Sequence, residues 1–442
     1  MRSDKVKQVK EKKQGIYITT EHGLMILIDD EHEKKLFRKA LKEKKAKKLI
    51  KGKKDEEFLR KLVGLKVLEF EDLTQEKELP REYDLRLLNY DGSEPIHAAP
   101  IMAHLEIEKR CNLACKYCSV RKTHEKTDKM MSLEELKKVI DKFVEWGVGQ
   151  ITITGGEPLL RIDDVIELVK YENSIPNSPP ISLSTNGTLL TEENVKKLSN
   201  AGLSLCQVSL DCHIPEVNDK LRGKGVCKKV IEGIKRLKKA GIITGVDCVV
   251  TSNNLEHIVG FVRFLDKLGV DYFTLLKLKP GALTEEEFLR LSPDPKEYAK
   301  VIRKIAEIQD EINIKVTLDC GSINVMQMAF TDQELKTVPV LGCPVGHTQI
   351  VINPDGDVYP CAALLGKEFL LGNVLKDDLE KIWLENPILK ELRQVKKNIK
   401  EPCKSCKHLD ICRGGCRGIA WKLLKDKWAP DPTCSINQRF LQ

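Results

Sequence analysis

Glu108-Lys109-Arg110-Cys111-Asn112-Leu113-Ala114-Cys115-Lys116-Tyr117-Cys118 places three thiols in one short loop, directly after the strand-like segment His104 to Glu108. Three thiolates can hold three corners of a four-iron cluster, and the fourth iron then has no protein ligand. An open metal position separates a catalytic metal site from a structural one, so a substrate or cofactor is expected on that iron. The competing reading is a zinc knuckle, because closely spaced cysteines also bind zinc.

A second motif lies one strand further on. Gln150-Ile151-Thr152-Ile153-Thr154 reads as a β-branched strand that runs into Gly155-Gly156-Glu157-Pro158-Leu159-Leu160 before a helical pattern begins. Two glycines let a ligand approach the backbone closely, and the glutamate adds an acceptor for an ammonium group. Alone, a Gly-Gly turn would be ordinary punctuation between strand and helix.

Together the motifs resemble the signature of the radical S-adenosylmethionine (SAM) enzymes: Cys111, three residues, Cys115, two residues, Cys118, with aromatic Tyr117 before the last cysteine, then Gly-Gly-Glu-Pro. The resemblance implies that the open iron of a 4Fe–4S cluster chelates SAM and that Gly155, Gly156, Glu157 and Pro158 bind its amino group. It also implies that one electron cleaves SAM to a 5'-deoxyadenosyl radical, which takes hydrogen from an unreactive carbon.

Composition agrees with a soluble globular protein. The 442 residues suffice for two or three domains, and 41% are hydrophobic. No stretch has the uninterrupted apolar length of a membrane span, and Met1-Arg2-Ser3-Asp4-Lys5 leads into charge, so a cytoplasmic protein is expected. Fifteen cysteines without a secretion signal point to metals or catalysis rather than disulfides. The net charge of +8 owes much to the Lys-rich beginning. The run from Lys42 to Lys54 would suit nucleic acid or an acidic peptide, but it reads as a solvated helix face.

Strands are expected at His104 to Glu108, Gln150 to Thr154, Ile181 to Thr185, Leu205 to Leu210, Ile243 to Val250 and Tyr272 to Leu278, with helical patterns between them. Such βα repeats build a parallel sheet covered by helices. Six strands are too few for a closed eight-stranded barrel, so the fold class is α/β, an open partial (β/α)6 TIM-like barrel. Ser132-Leu133-Glu134-Glu135 reads as a capping box before the first helix. Ligands of parallel βα folds sit at the C-terminal strand ends. There lie the cysteine loop, the Gly-Gly-Glu-Pro, Ser184-Thr185-Asn186-Gly187 and Val208-Ser209-Leu210-Asp211. By similarity to family patterns, Ser184 and Asn186 would meet the SAM ribose or carboxylate. Ser209, Asp211 and Arg222 would surround its carboxylate and sulfonium. Each is also an ordinary strand-end residue type.

A second cysteine set begins beyond the barrel: Cys343, then Asn353-Pro354-Asp355-Gly356-Asp357-Val358-Tyr359-Pro360-Cys361, then Cys403, Cys406, Cys412, Cys416 and Cys434. Seven cysteines are too many for one zinc ion. Their order resembles the SPASM extension of radical SAM enzymes, which carries auxiliary 4Fe–4S clusters. The resemblance implies that Cys403, Cys406, Cys412 and Cys434 close one cluster and that Cys343, Cys361 and Cys416 hold another. The fourth ligand of the second is Cys320 or an open iron. Two structural zinc sites are the bland alternative. Cys206, Cys212, Cys227 and Cys248 read as small apolar residues. Sulfatase-maturing relatives carry an aspartate after the Cys361 equivalent; here it is Ala362, which speaks against formylglycine formation.

The division expected is 1–74, an α+β extension; 75–100, a linker; 101–312, the barrel; and 313–442, the small cysteine-rich iron-sulfur domain. In the extension, a hairpin around His22-Gly23 and helices from His32 to Leu62 suggest a winged-helix-like unit, and Leu65 to Phe70 a further strand; the resemblance implies a peptide-binding unit for a leader peptide, with a plain scaffold extension as the alternative. The resemblance makes a peptide or protein substrate the first expectation, with a reductant such as ferredoxin or flavodoxin. The alternatives are a small-molecule cofactor precursor, tetrapyrrole or pterin-type (a tungsten cofactor, for example), and an iron-sulfur module without turnover. Neither a membrane nor a nucleic-acid partner is expected.

Overall fold

The computed structural model describes residues 6–12, 15–20, 25–28, 31–64, 68–71, 99–118, 129–176, 178–337 and 342–434. The first segments form an antiparallel sheet of β1 (Val6–Lys12), β2 (Gly15–Thr20) and β3 (Met25–Ile28), followed by helices Glu31–Ala40 and Lys53–Gly64. The expected hairpin is β2–β3. Strand β1 was not foreseen, because Val6-Lys7-Gln8-Val9-Lys10-Glu11-Lys12 is dominated by charge. A small separate core gathers Phe37, Leu59, Leu62, Leu68 and Phe70. The expected linker falls almost wholly on 72–98, which with Leu65 to Val67 lie outside the described residues.

The second sheet contains the six expected strands in sequential order: β4 (Met102–Glu108), β5 (Gln150–Gly155), β6 (Ile181–Thr185), β7 (Leu205–Ser209), β8 (Ile243–Val250) and β9 (Tyr272–Lys277), all parallel. Alternate residues, among them Leu105, Ile153, Leu183, Val208, Val246, Cys248 and Leu275, enter one large core with helices such as Leu133–Trp146, Val226–Lys239 and Pro295–Glu307. Full burial of such a side chain contributes about 1.5–3 kcal/mol. The capping box forms as expected, Ser132 Oγ accepting from Glu135 N and Glu135 accepting from Ser132 N. The other strand face carries Thr152, Thr154, Ser184, Gln207, Ser209, Asp247 and Thr274. A parallel sheet covered on both faces usually reads as continuous apolar runs. Polar alternation here marks a lumen.

The sheet does not stop at six strands. β10 (Lys315–Leu318) pairs parallel with β9 on one edge, and β11 (Gln349–Ile352) pairs parallel with β4 on the other, continued antiparallel by β12 (Asp357–Tyr359) and β13 (Gly372–Asn373). The sheet therefore runs across the expected division at residue 312. Open edges of a parallel sheet leave backbone groups to be paired, and the C-terminal segment pairs both. Among the described residues, no helix is long and apolar enough to cross a membrane.

Candidate active site

The cysteine loop is held first by backbone. Gly156 N donates to Glu108 O at 2.6 Å and Glu157 N to Arg110 O at 2.8 Å. A Cβ on Gly156 would stand 2.1 Å from Arg110 O, and one on Gly155 2.5 Å from Glu108 O. Both glycines are thus required by the loop itself, in addition to any ligand. Glu108, fully buried at the end of β4, accepts from Arg110 N, Nε and Nη2 at 2.7–3.0 Å. Burial works against its charge, but the Arg110 donors outweigh it and hold the carboxyl below its ordinary range.

Glu157, expected as an acceptor for the SAM ammonium, also serves the protein itself. Its buried carboxylate already accepts from Leu159 N (3.0 Å), Thr185 Oγ1 (2.7 Å) and Asn186 N (2.7 Å). It acts on the loop through Asn186, whose Nδ2 donates to Asn112 Oδ1 at 2.8 Å and lies 3.6 Å from Cys111 Sγ. Asn186 Oδ1 accepts from Thr188 N and Oγ1. Asn186, expected against SAM, therefore spends its amide on the cysteine loop.

The far side of the loop rests on an ion pair. Arg222 Nε and Nη2 donate to the two oxygens of Asp211 at 2.8 and 3.0 Å, with both side chains nearly or wholly buried. Tyr117 donates its hydroxyl to the same carboxylate, and its ring lies 5.6 Å from the guanidinium. Val249 N also donates to Asp211, at 3.0 Å, and Lys116 N to Leu221 O at 3.1 Å. Burial pushes the Cys115 thiol up to about 11. Asp211 and Arg222 are thus committed to each other and to Tyr117. Ser184 and Ser209 stand half-buried on the lumen face near the ends of β6 and β7.

Asp247 was missed in the sequence. It lies on the lumen face of β8, opposite Ser209 of β7 and Thr274 of β9. Burial raises its pKa to about 6, against the opposing pull of the Thr274 hydrogen bond and Arg222. Only register places it there; in sequence, Gly245-Val246-Asp247-Cys248-Val249 is one polar residue in an apolar run.

The C-terminal thiols gather in two places. Cys403, Cys406, Cys412 and Cys434 line one cavity with Asn324, Gln327 and the Gly414-Gly415 backbone. Burial and Cys434 push the Cys412 thiol up to about 12. Elsewhere, burial and Cys343 raise Cys361 to about 11 and Cys416 to about 12. Cys320 joins that group: burial, Asp319, Cys343 and Cys416 all push its thiol up. The structure thus brings Cys320, Cys343, Cys361 and Cys416 together, a meeting of positions far apart in the chain.

Two family models match the chain, Radical SAM superfamily over residues 105–265 and the SPASM iron-sulfur cluster-binding domain over 343–407. The chain belongs to the radical SAM superfamily and carries a SPASM domain. It is a SAM-dependent enzyme whose cofactors are 4Fe–4S clusters and SAM. The AdoMet-dependent heme synthase of Oleidesulfovibrio alaskensis is 27% identical over 345 residues, 76% of this chain and 87% of that one. The mycofactocin maturase MftC of Mycolicibacterium smegmatis is 28% identical over 338 residues, 76% and 83% respectively. Streptococcus suis SuiB bound to precursor peptide SuiA matches in fold with a TM-score of 0.71 at 19% identity, covering 98% of this chain and 100% of that one.

The thiols of this radical SAM protein fit such clusters. Cys403, Cys406, Cys412 and Cys434 stand around a cavity, and bound metal would favour their deprotonated form against the burial that raises it. Gln327 lines the four-cysteine cavity, and its Nε2 is buried with no hydrogen-bond partner among the described residues. A buried donor of this kind suits cluster sulfur.

Gly156→Ala should displace the cysteine loop and lower reconstituted iron at the SAM site, read as loss of its electron paramagnetic resonance (EPR) signal. For Asp247, the raised folded pKa makes its protonated form the stabilising one. That stability is complete below about pH 4 and lost as pH rises through about 6. Asp247→Asn should therefore be more stable than wild type at pH 8, by on the order of 2 kcal/mol, with the difference vanishing near pH 4 in anaerobic urea unfolding.

Proposed function

We propose that this chain is a maturase that oxidatively modifies a peptide or protein side chain. The observation that carries the reading is the N-terminal unit: the fold match to SuiB, whose solved complex holds a precursor peptide, spans 98% of the chain and so includes β1–β3 and the two helices after them. That unit is the proposed binding place for a leader segment. Similarity to the mycofactocin maturase supports the same class.

Cys111, Cys115 and Cys118 hold the SAM-binding cluster in this reading. Cys403, Cys406, Cys412 and Cys434 hold one auxiliary cluster, and Cys320, Cys343, Cys361 and Cys416 the other. When bound, these groups supply one-electron cleavage of SAM and the removal of hydrogen from a substrate carbon. Asn186 orients Cys111, and the Asp211–Arg222–Tyr117 set fixes the segment carrying Cys115 and Cys118. Gly155 to Pro158 offer backbone groups to the SAM amino group, while Ser184 and Ser209 face its ribose or carboxylate from the lumen. Asp247 supplies a carboxylate able to take up a proton near neutral pH. With Ala362 after Cys361, the formylglycine reaction is not proposed. Fifteen cysteines, ten of them spaced for iron-sulfur clusters, support a reducing, cytoplasmic setting with a ferredoxin- or flavodoxin-like reductant. Similarity to heme synthases favours a second reading, the same chemistry on a tetrapyrrole precursor.

The test is anaerobic reconstitution with iron and sulfide, dithionite reduction and measurement of 5'-deoxyadenosine, wild type beside Cys115→Ala. Wild type alone should form it. Deuterium from labelled candidate peptides should then enter 5'-deoxyadenosine; transfer from a labelled coproporphyrin-type precursor instead would replace the peptide reading by the second. Cys406→Ala should still cleave SAM but lose mature product roughly tenfold or more.

A further inference from the structure

Two charged residues stand at the C-terminal ends of the last two parallel strands. Lys279 follows β9, and Asp319 follows β10, with Asp319 N donating to Leu275 O at 3.0 Å. Lys279 Nζ lies 2.7 Å from Asp319 Oδ2, with the side chains 28% and 10% exposed. The other oxygen, Asp319 Oδ1, accepts from Gly321 N and Ser322 Oγ, both at 3.1 Å, and so holds the turn that carries Cys320.

The nearby charges can be separated by what they face. Lys277 turns to Asp431 at 3.3 Å and to Asn324 at 3.1 Å, and Asp431 in turn accepts from Cys416 N at 2.8 Å. Lys279 instead faces Asp319 beside Cys320, and its positive charge acts on Cys320, Cys361 and Cys416. The ion pair with Asp319 holds the Lys279 ammonium beside the Cys320 turn.

We propose that Lys279 and Asp319 form a positioning pair for the Cys320, Cys343, Cys361 and Cys416 site, Asp319 fixing the Cys320 turn and Lys279 raising the reduction potential of the cluster there. This rests on the four-thiolate reading of that site. An iron-sulfur cluster gains negative charge on reduction, and local charge and hydrogen bonding set its potential. A fixed ammonium favours the reduced form, and its carboxylate partner moderates the effect. The pair thereby favours the reduced form of a cluster at this site.

The experiment is an EPR-monitored redox titration of the reconstituted full-length chain, with iron quantified in each variant. Lys279→Met should shift the midpoint of this cluster below wild type, and Lys279→Arg should keep it near wild type. Asp319→Asn, which leaves the ammonium unopposed, should shift it above. Opposite signs for the two removals are what a purely steric prop would not produce. Shifts of the same sign, no shift with iron retained, or loss of the signal in Lys279→Arg as well as Lys279→Met would overturn the proposal. If Lys279→Met alone loses the cluster, the sign of the Asp319→Asn shift decides. Cys320→Ser tests the underlying ligand set separately: an unchanged EPR line shape removes Cys320 from it, whatever the midpoints show.

Discussion

The site depends on one close contact, the backbone at the end of β5 laid against the cysteine loop after β4. Gly155 and Gly156 have no side chain because the carbonyls of Glu108 and Arg110 occupy that space. The two hydrogen bonds formed there set the height of the loop over the lumen. Everything further follows in order: Glu157 is carried to the end of β6, Asn186 is held by it, and the Asn186 amide reaches Asn112 and Cys111. A side chain at either glycine would disturb each link in turn.

On the opposite side the loop leans on charge rather than on close packing. A buried pair such as Asp211–Arg222 loses hydration that its own attraction only partly restores, so it is poor evidence of stability. Its two oxygens also take the Tyr117 hydroxyl and the Val249 amide, which ties the loop, β7, β8 and helix Pro215–Arg222 to one point. Specific placement is the physical return on that burial. Asp247 belongs to the same polar lumen, where a carboxylate whose burial is only partly offset is costly in stability.

The C-terminal module is not an appendage of the barrel. It supplies β11 to the free edge beside β4, and Lys109 of the cysteine loop reaches Asp355 on the β11–β12 turn at 2.8 Å. At the other edge, helix Ile323–Ala329 follows directly on the Cys320 turn and presents Asn324 and Gln327 to the four-cysteine cavity. One short stretch thus lies beside both groups of C-terminal thiols, and the segment that carries them pairs β10 with β9 and β11 with β4.

The six barrel strands, the capping box at Ser132 and the chemistry of the cysteine loop were legible because each is a local pattern of period, spacing and residue type. Strands β1 and β10 were not, since Lys, Gln and Thr at short length give no apolar signal. The sequence by itself determined that the chain builds a parallel βα sheet and carries thiols spaced for iron-sulfur clusters. Only the tertiary structure decided that Cys320 joins Cys343, Cys361 and Cys416, that Glu157 serves the loop and that Asp247 faces the lumen. Which distant side chains meet is set by strand order and register across the sheet, and these depend on long-range pairing that no local spacing encodes.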